Sequence, residues 1–386
     1  MRLLGSRARI GREFPAVVGR GSIYYCIVER RFVVCTANEV EEVASALHHR
    51  RTRRGRADMT RVGLVLGAGG VLGAAWMTGA LAALQRRLPY PLGGVDLVVG
   101  TSAGSVLAAA LRCGADIEEM IRHQRGTGLP FLPDLDAIDR EAGGRLPPLP
   151  RLRVGSPRLL LSTALAPHKM HPWVAASALM PQGRARHTSL EALVRGLLLA
   201  SGKASSGTGA PGWAPGGETW VVAVDYDSGQ RVVFGRDGAP PASLPEAVVA
   251  SCSIPGWYRP AVIGGRRYVD GGVRSSTSLD CVAGADLDEV YVLAPMASYV
   301  ADSPDNAYAR IERQFRRLIT VGLQRDVRKV EEQGIRVVVL TPGPEDLAVI
   351  GANMMDPRRR IQVLDTSLRT STAAVATLEH RGRGVS

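Results

Sequence analysis

The chain has 386 residues, 45% of them hydrophobic and 5% aromatic, which suits one large domain or two small ones with a core of Ala, Val and Leu. Five cysteines (Cys26, Cys35, Cys113, Cys252, Cys281), odd in number and without a CxxC pair, argue against a disulfide framework and a structural zinc site. No run reaches the ~20 apolar residues of a membrane span, and no apolar segment followed by a small-residue cleavage site opens the chain. A net charge of +12 invites an anionic partner, nucleic acid or membrane. With only Lys169, Lys203 and Lys329 as lysines, however, the basic balance is almost all arginine, as GC-rich coding also produces.

Residues 1–60 read as a basic N-terminal extension, with 12 Arg against 6 acidic residues. Its "GSIYYCIVERRFVVCTANEVEEVASAL" suits a strand pair and a short helix. The extension is either a membrane-binding arm, ordered or not, or sequence upstream of a start at Met59. Residues 61–345 then form an α/β domain. "RVGLVLG" is a strand, "AAWMTGALAALQRRL" a helix with basic residues in its last turn, "GVDLVVG" a second strand and "SAGSVLAAALRCG" a second helix. Alternation of this kind predicts parallel strands. Residues 126–187, rich in Pro, Gly and Arg, read as a cap or lip. His123, His168 and His171 fall in or near it, as does His187, and read as surface or cap residues. A helix follows over 188–200, then a flexible loop over 201–217. Strands resume at "TWVVAVDY", "RVVFG", "RRYVDGG", "DEVYVLAP" and "IRVVVLTPG", with helices over 244–252, 306–333 and 360–380. Residues 346–386 are a C-terminal helix and basic tail.

Gly100-Thr101-Ser102-Ala103-Gly104 fits G-x-S-x-G with a strand before it and a helix after it. A serine nucleophile on so sharp a bend needs small flanking residues, and the helix N-terminus behind it favours an oxyanion. The same residues also suit an ordinary strand–helix turn. Gly67-Ala68-Gly69-Gly70-Val71-Leu72-Gly73, after the first strand, resists the dinucleotide reading, because G-x-G-x-x-G from Gly67 needs glycine where Leu72 stands. An oxyanion loop at Gly69, Gly70 and Val71 is the competing reading. A serine also needs a base. After Asp270 the only histidine is His380, so the better partner is Asp270 itself, a carboxylate at a strand end followed by Gly271 and Gly272. A plain Asp-Gly turn is the structural alternative.

Taken together, "GLVLGAGGVLGAAWMTGAL", "VVGTSAGS", "PEAVVASCSIPGWYRPAVIGGRRYVDGGV" and "DEVYVLAP" resemble the patatin-like phospholipase family, including its neuropathy-target-esterase-related bacterial members. The resemblance runs from about Arg61 to Thr341. It implies a three-layer α/β fold with a mostly parallel central sheet, and a Ser–Asp dyad without histidine, with Ser102 as nucleophile and Asp270 as base. It also implies an oxyanion hole at Gly69, Gly70 and Val71. No cluster of His, Cys and acidic residues has metal-ligand spacing, so no metal is expected, nor any cofactor. Leu72 stands where relatives often carry Arg or Lys, and Ala68 where glycine is frequent. "VRSSTSL" replaces the usual Asn and Pro after Asp270-Gly271-Gly272.

The expected function is hydrolysis of a phospholipid or lysophospholipid ester. The alternatives are an acyltransferase using the same acyl-enzyme and a non-catalytic lipid-binding member of the fold. The expected partners are a lipid ester and, peripherally, a membrane, with no nucleic acid. The expected location is the cytoplasm, at the inner face of that membrane. The cap arginines Arg140, Arg145, Arg151, Arg153 and Arg158 are expected beside the mouth of the site.

Overall fold

Two short runs, VGLVL at Val62–Leu66 and LVVGT at Leu97–Thr101, are buried at every residue, as strands covered on both faces must be. The computed structural model describes residues 60–128, 133, 135–144, 146–165, 168, 170–202, 212–214, 216–300 and 307–383, together with three strands nearer the N-terminus. Those three, β1 (Val17–Gly19), β2 (Tyr24–Val28) and β3 (Arg31–Cys35), form an antiparallel sheet of their own. By internal contacts, residues 1–60 and 61–386 are two units. The short helix expected after β3, Met59 as a start, and residues 203–211 of the expected flexible loop lie outside the described residues.

In the larger unit β4 (Val62–Leu66) leads into α1 (Gly70–Gln85), and β5 (Leu97–Thr101) into α2 (Ala103–Arg112) and α3 (Ile117–Gln124). The cap stretch holds α4 (Leu135–Ala142), β6 (Arg151–Val154), α5 (Pro157–Leu165), α6 (Pro172–Leu179) and β7 (Pro181–Gln182). Next come α7 (Thr188–Ala200), β8 (Glu218–Asp225), β9 (Arg231–Phe234), α8 (Leu244–Ser251), β10 (Ala261–Ile263) and β11 (Arg266–Asp270). The chain continues through β12 (Glu289–Leu293), α9 (Ala307–Glu331), β13 (Arg336–Leu340), α10 (Pro344–Ile350) and α11 (Arg360–Arg383).

The sheet order is β10-β11-β8-β5-β4-β12-β13, with β9 also paired to β8. Strands β8, β5, β4, β12 and β13 pair in parallel, while the pairings of β9, β10 and β11 are antiparallel. One face is covered by α1, α2, α3, α7, α8 and α11. The other carries α9 and the short turn of helix at Leu279–Val282. The result is the three-layer α/β architecture that the family resemblance implies, with the parallel strands that the strand–helix alternation predicts.

Element ends depart from the sequence pattern where burial hides them. Helix α1 starts at Gly70, earlier than its apolar spacing indicates, and Arg86 and Arg87 fall beyond its last residue. It is buried almost all round, so no polar stripe marks its ends. Helix α3 was legible in principle: Asp116 and Glu119 form a reciprocal capping box at its start.

The far end of α2 is fixed by a buried arginine. Arg112 donates to the carbonyls of Gly93 (2.7 Å), Val95 (2.8 Å) and Glu218 (2.7 Å) and to the Thr219 hydroxyl (3.1 Å), so it ties α2 to the entry of β8. Burial lowers its pKa to about 10. Helix α11 is equally integral. Val363 and Leu364 are fully buried in the core beside α1, and the Ser367 hydroxyl donates to the Trp76 carbonyl at 2.7 Å. Leu364→Ala is therefore expected to cost about 2–5 kcal/mol of unfolding free energy, read from urea denaturation of the full chain. A loss below 0.5 kcal/mol would mean that α11 is not part of the cooperative core.

Candidate active site

At the end of β5 the chain turns into α2 through Ser102, whose backbone is held at φ 53°, ψ −124°. Among the described residues only Ser102 and Ser278 are non-glycine residues with positive φ. Such a conformation stores roughly 1–3 kcal/mol and persists only where neighbours impose it. The neighbours here are close-packed backbone. A Cβ on Gly100 would stand 2.5 Å from the Ser105 Cα, and one on Gly104 would overlap the Leu66 carbonyl of β4. From α8, the Ser251 hydroxyl accepts the Ser102 N–H at 2.8 Å and donates to the Val222 carbonyl at 2.6 Å.

Asp270 reaches Ser102 through the sheet register. Strand β8 lies between their two strands, with Val222 paired to Thr101 and Ala223 paired to Asp270. The two residues thus stand at the same level of the sheet, one strand apart. The Ser102 hydroxyl is near enough to the Asp270 carboxylate to favour its charged form, and the Gly272 N–H donates to its Oδ1 at 2.7 Å. Gly271, between them in the chain, lies against the Val222 carbonyl. Asp270 is 4% exposed. Burial pushes its carboxyl up to about 6, against the Ser102 side chain and the Gly272 N–H, which favour the charged form.

The glycine loop is the entry to α1. Gly67 and Ala68 donate their N–H groups to the Leu293 and Ser276 carbonyls, at 3.0 and 2.6 Å. Gly69 packs on Pro295 and does not line the cavity, whereas Gly70 and Val71 line it together with Ser102. Gly70 has φ 57°, and a Cβ there would stand 2.7 Å from the Met355 Sδ. As the first residues of a helix, Gly70 and Val71 have no intrahelical acceptor for their N–H groups. The Leu72 N–H, in contrast, is taken by the Met354 carbonyl at 2.9 Å.

The cavity has a volume of about 170 Å³. Ala103, Val106 and Leu107 of α2 line one wall, and Leu190, Leu193 and Leu197 of α7 another. Helix α4, from the cap stretch, contributes Leu135 and Ile138. His187, half-buried, also belongs to this wall. It stacks on Tyr258 at 3.8 Å, and its Nε2 contacts the Cys252 carbonyl at 3.1 Å. Burial lowers its pKa to about 4, so it is neutral at physiological pH. Among the described residues no group of three His, Cys, Asp or Glu is placed to hold a metal ion, and no helix is long and apolar enough to cross a membrane.

Of the cap arginines, Arg140, Arg151, Arg153 and Arg158 are exposed, and Arg145 lies outside the described residues. Three further arginines escaped the sequence reading: Arg184, Arg186 and Arg259. Nearby Arg186, Arg151 and Arg184, with a contribution from desolvation, hold the Arg259 guanidinium below its usual pKa, so the four form one basic cluster. Arg186 and Arg259 adjoin the cavity-lining His187 and Tyr258. The alternation in "GRARH" was the available signal: Ala185 is buried and bridges to Tyr258, which turns its neighbours outward.

Among solved structures, VipD from Legionella pneumophila is 14% identical with a TM-score of 0.35, covering 94% of this chain and 72% of that one. The type III effector ExoU of Pseudomonas aeruginosa is 20% identical with a TM-score of 0.32, covering 82% and 53%. Human GIVD cytosolic phospholipase A2, in complex with methyl gamma-linolenyl fluorophosphonate, is 14% identical with a TM-score of 0.34, covering 82% and 58%. The chain thus spans little more than half the length of the last two. No curated protein matches the sequence. The model of the family described as patatin-like phospholipase matches residues 64–280, a stretch that contains Ser102, Asp270 and the glycine loop. With more than half of its length matched, the chain belongs to the patatin-like phospholipase family.

Proposed function

We propose that this protein is a serine acyl hydrolase that cleaves a phospholipid or lysophospholipid ester at Ser102, with Asp270 as the base. Membership of the family supports lipid acyl hydrolysis. The observation that carries the finer reading is the Ser102 side chain, which lines a largely apolar cavity and interacts with the buried Asp270 carboxylate behind it. Asp270 takes the serine proton as the oxygen attacks the ester carbonyl, then passes it to the leaving alcohol. The N–H groups of Gly70 and Val71 hold the oxyanion, while Gly69 on Pro295 fixes the path of the loop. Water, activated by the same carboxylate, releases the fatty acid.

Fluorophosphonate labelling and p-nitrophenyl ester hydrolysis test the assignment. Ser102→Ala should abolish both. Asp270→Asn should lower kcat by a factor of about 10²–10⁴, the range for loss of a positioned base. Labelling that survives Ser102→Ala would refute the nucleophile.

The pH profile follows from the carboxyl. Its pKa is raised to about 6, so the basic form is lost as pH falls through that value. We expect kcat/KM to be flat above about pH 7 and to fall about tenfold per unit well below 6. A profile that stays flat down to pH 4 would remove Asp270 as the base.

The same reading requires a lipid surface. Leu146, Leu149, Leu161, Leu165, Trp173 and Leu179 of the cap stretch are exposed, and the basic cluster of Arg151, Arg184, Arg186 and Arg259 adjoins the cavity wall. Apolar side chains with arginines among them suit insertion at an anionic interface. Co-sedimentation should show tighter binding to anionic than to neutral vesicles, weakened about tenfold or more by high salt. The full chain and one starting at Met59 should behave alike. Equal binding to the two vesicle types would exclude the electrostatic contribution, and loss of the preference with residues 1–58 would assign it to the N-terminal extension.

A further inference from the structure

Helix α9 grips the segments that hold the glycine loop. Glu312, Arg316 and Thr320 stand four residues apart, so they share one helix face. Arg316 is 3% exposed. Its Nη1 donates to the Pro295 carbonyl at 2.7 Å, and its Nη2 lies 3.5 Å from the Met354 Sδ. The Glu312 carboxylate takes the Nε–H. One turn on, the Thr320 hydroxyl accepts the Ser298 N–H at 3.0 Å, so the segment that leaves β12 is pinned to α9 at two points.

Both Pro295 and Met354 bear on the loop. A Cβ on Gly69 would stand 2.7 Å from the Pro295 Cγ, and one on Gly73 would stand 3.2 Å from it. The Met354 carbonyl takes the Leu72 N–H at 2.9 Å. We infer that Arg316 is a positioning residue for the reaction, which fixes, through Pro295 and Met354, the placement of the Gly70 and Val71 N–H groups. This rests on the reading of those groups as the oxyanion donors. Arg316 does not line the cavity, so its effect on the reaction passes through the loop. A guanidinium meets a carbonyl, a thioether and a carboxylate at once in a fixed plane, whereas an ammonium is a single point charge. Donors that must be in place before the oxyanion forms lose about 10²-fold in rate for a displacement of about 1 Å.

The test uses the full chain as wild type, Arg316→Met and Arg316→Lys, with Arg317→Met at an exposed position of the same helix as the control. Hydrogen exchange followed by mass spectrometry reads the loop without any turnover. In Arg316→Met the peptide over residues 67–73 should exchange about tenfold faster or more, with the peptide over 97–112 unchanged. On p-nitrophenyl esters kcat should fall about 10- to 100-fold, with KM within about threefold of wild type. Arg316→Lys should recover part of both losses, and Arg317→Met should show neither. If Arg316→Met does not fold, Arg316→Lys is read in its place, with effects of about three- to tenfold.

Loosening confined to the loop, together with the loss in kcat, upholds the inference. It is overturned if exchange over 67–73 is unchanged, or if the loop loosens while kcat stays within about twofold of wild type. Faster exchange throughout the domain, as a merely structural arginine would give, overturns it too. A wild-type chain that turns over no ester refutes the catalytic reading instead. Loop exchange then decides the inference alone: local loosening upholds it and no change overturns it.

Discussion

The turn at Ser102 depends on how closely α2 can approach the strand β4. Gly104 lies against the Leu66 carbonyl and Gly100 against the backbone of Ser105. Only with both side chains missing can the helix begin one residue after the strand ends. That closeness forces Ser102 into positive φ and leaves its hydroxyl at the rim of the sheet. It also sets the helix N-terminus, with its free N–H groups, directly behind the proposed nucleophile. A methyl at either glycine would have to move a strand or a helix, and both are buried in the largest core cluster.

Around this turn, the site is assembled mostly from backbone. Strand β8 spaces Asp270 from Ser102 by one strand width, and Ser251 of α8 braces the turn against β8. The glycine loop is held by carbonyls of the segment after β11 and of the last residue of β12, and by Pro295. Arg316 of α9 donates to the Pro295 carbonyl at 2.7 Å, which anchors the same loop from the other face of the sheet. Burial then acts on the one carboxylate that the arrangement encloses, and its pKa moves toward the range in which a base is useful near neutral pH. Among the described residues no charged partner reaches that carboxylate; the Ser102 side chain and the Gly272 N–H face it.

Much of this was legible in the chain. The glycine at 100 is needed by local sterics against Ser105 and the one at 104 by the approach of β4, and their spacing around Ser102 is what the sequence displays. Asp270 at a strand end, followed by two glycines, was readable in the same way. The loop at Gly69, Gly70 and Val71 was readable only as a unit. That Gly69 turns to Pro295 while Gly70 and Val71 face the cavity follows from where α1 begins, and α1 is too evenly buried for its sequence to mark that point. His187 looked like a cap residue because its polarity gave no hint that Tyr258, far along the chain, would cover its ring.

The cavity's polar side was out of reach of the sequence altogether. Gln124, Asp139 and Arg360 lie in three separate helices, and no spacing rule links them. The same holds for the cluster of Arg151, Arg184, Arg186 and Arg259, drawn together by the bridge between Ala185 and Tyr258. The sequence by itself determined the alternation of strands and helices, the small residues around Ser102 and the carboxylate at the end of β11, because those depend on residues within a few positions of one another. The tertiary structure alone decided that Ser102 and Asp270 stand one strand apart, which glycines face the cavity and which charges line it. Those outcomes depend on strand order and helix packing, set by contacts between residues distant in the chain.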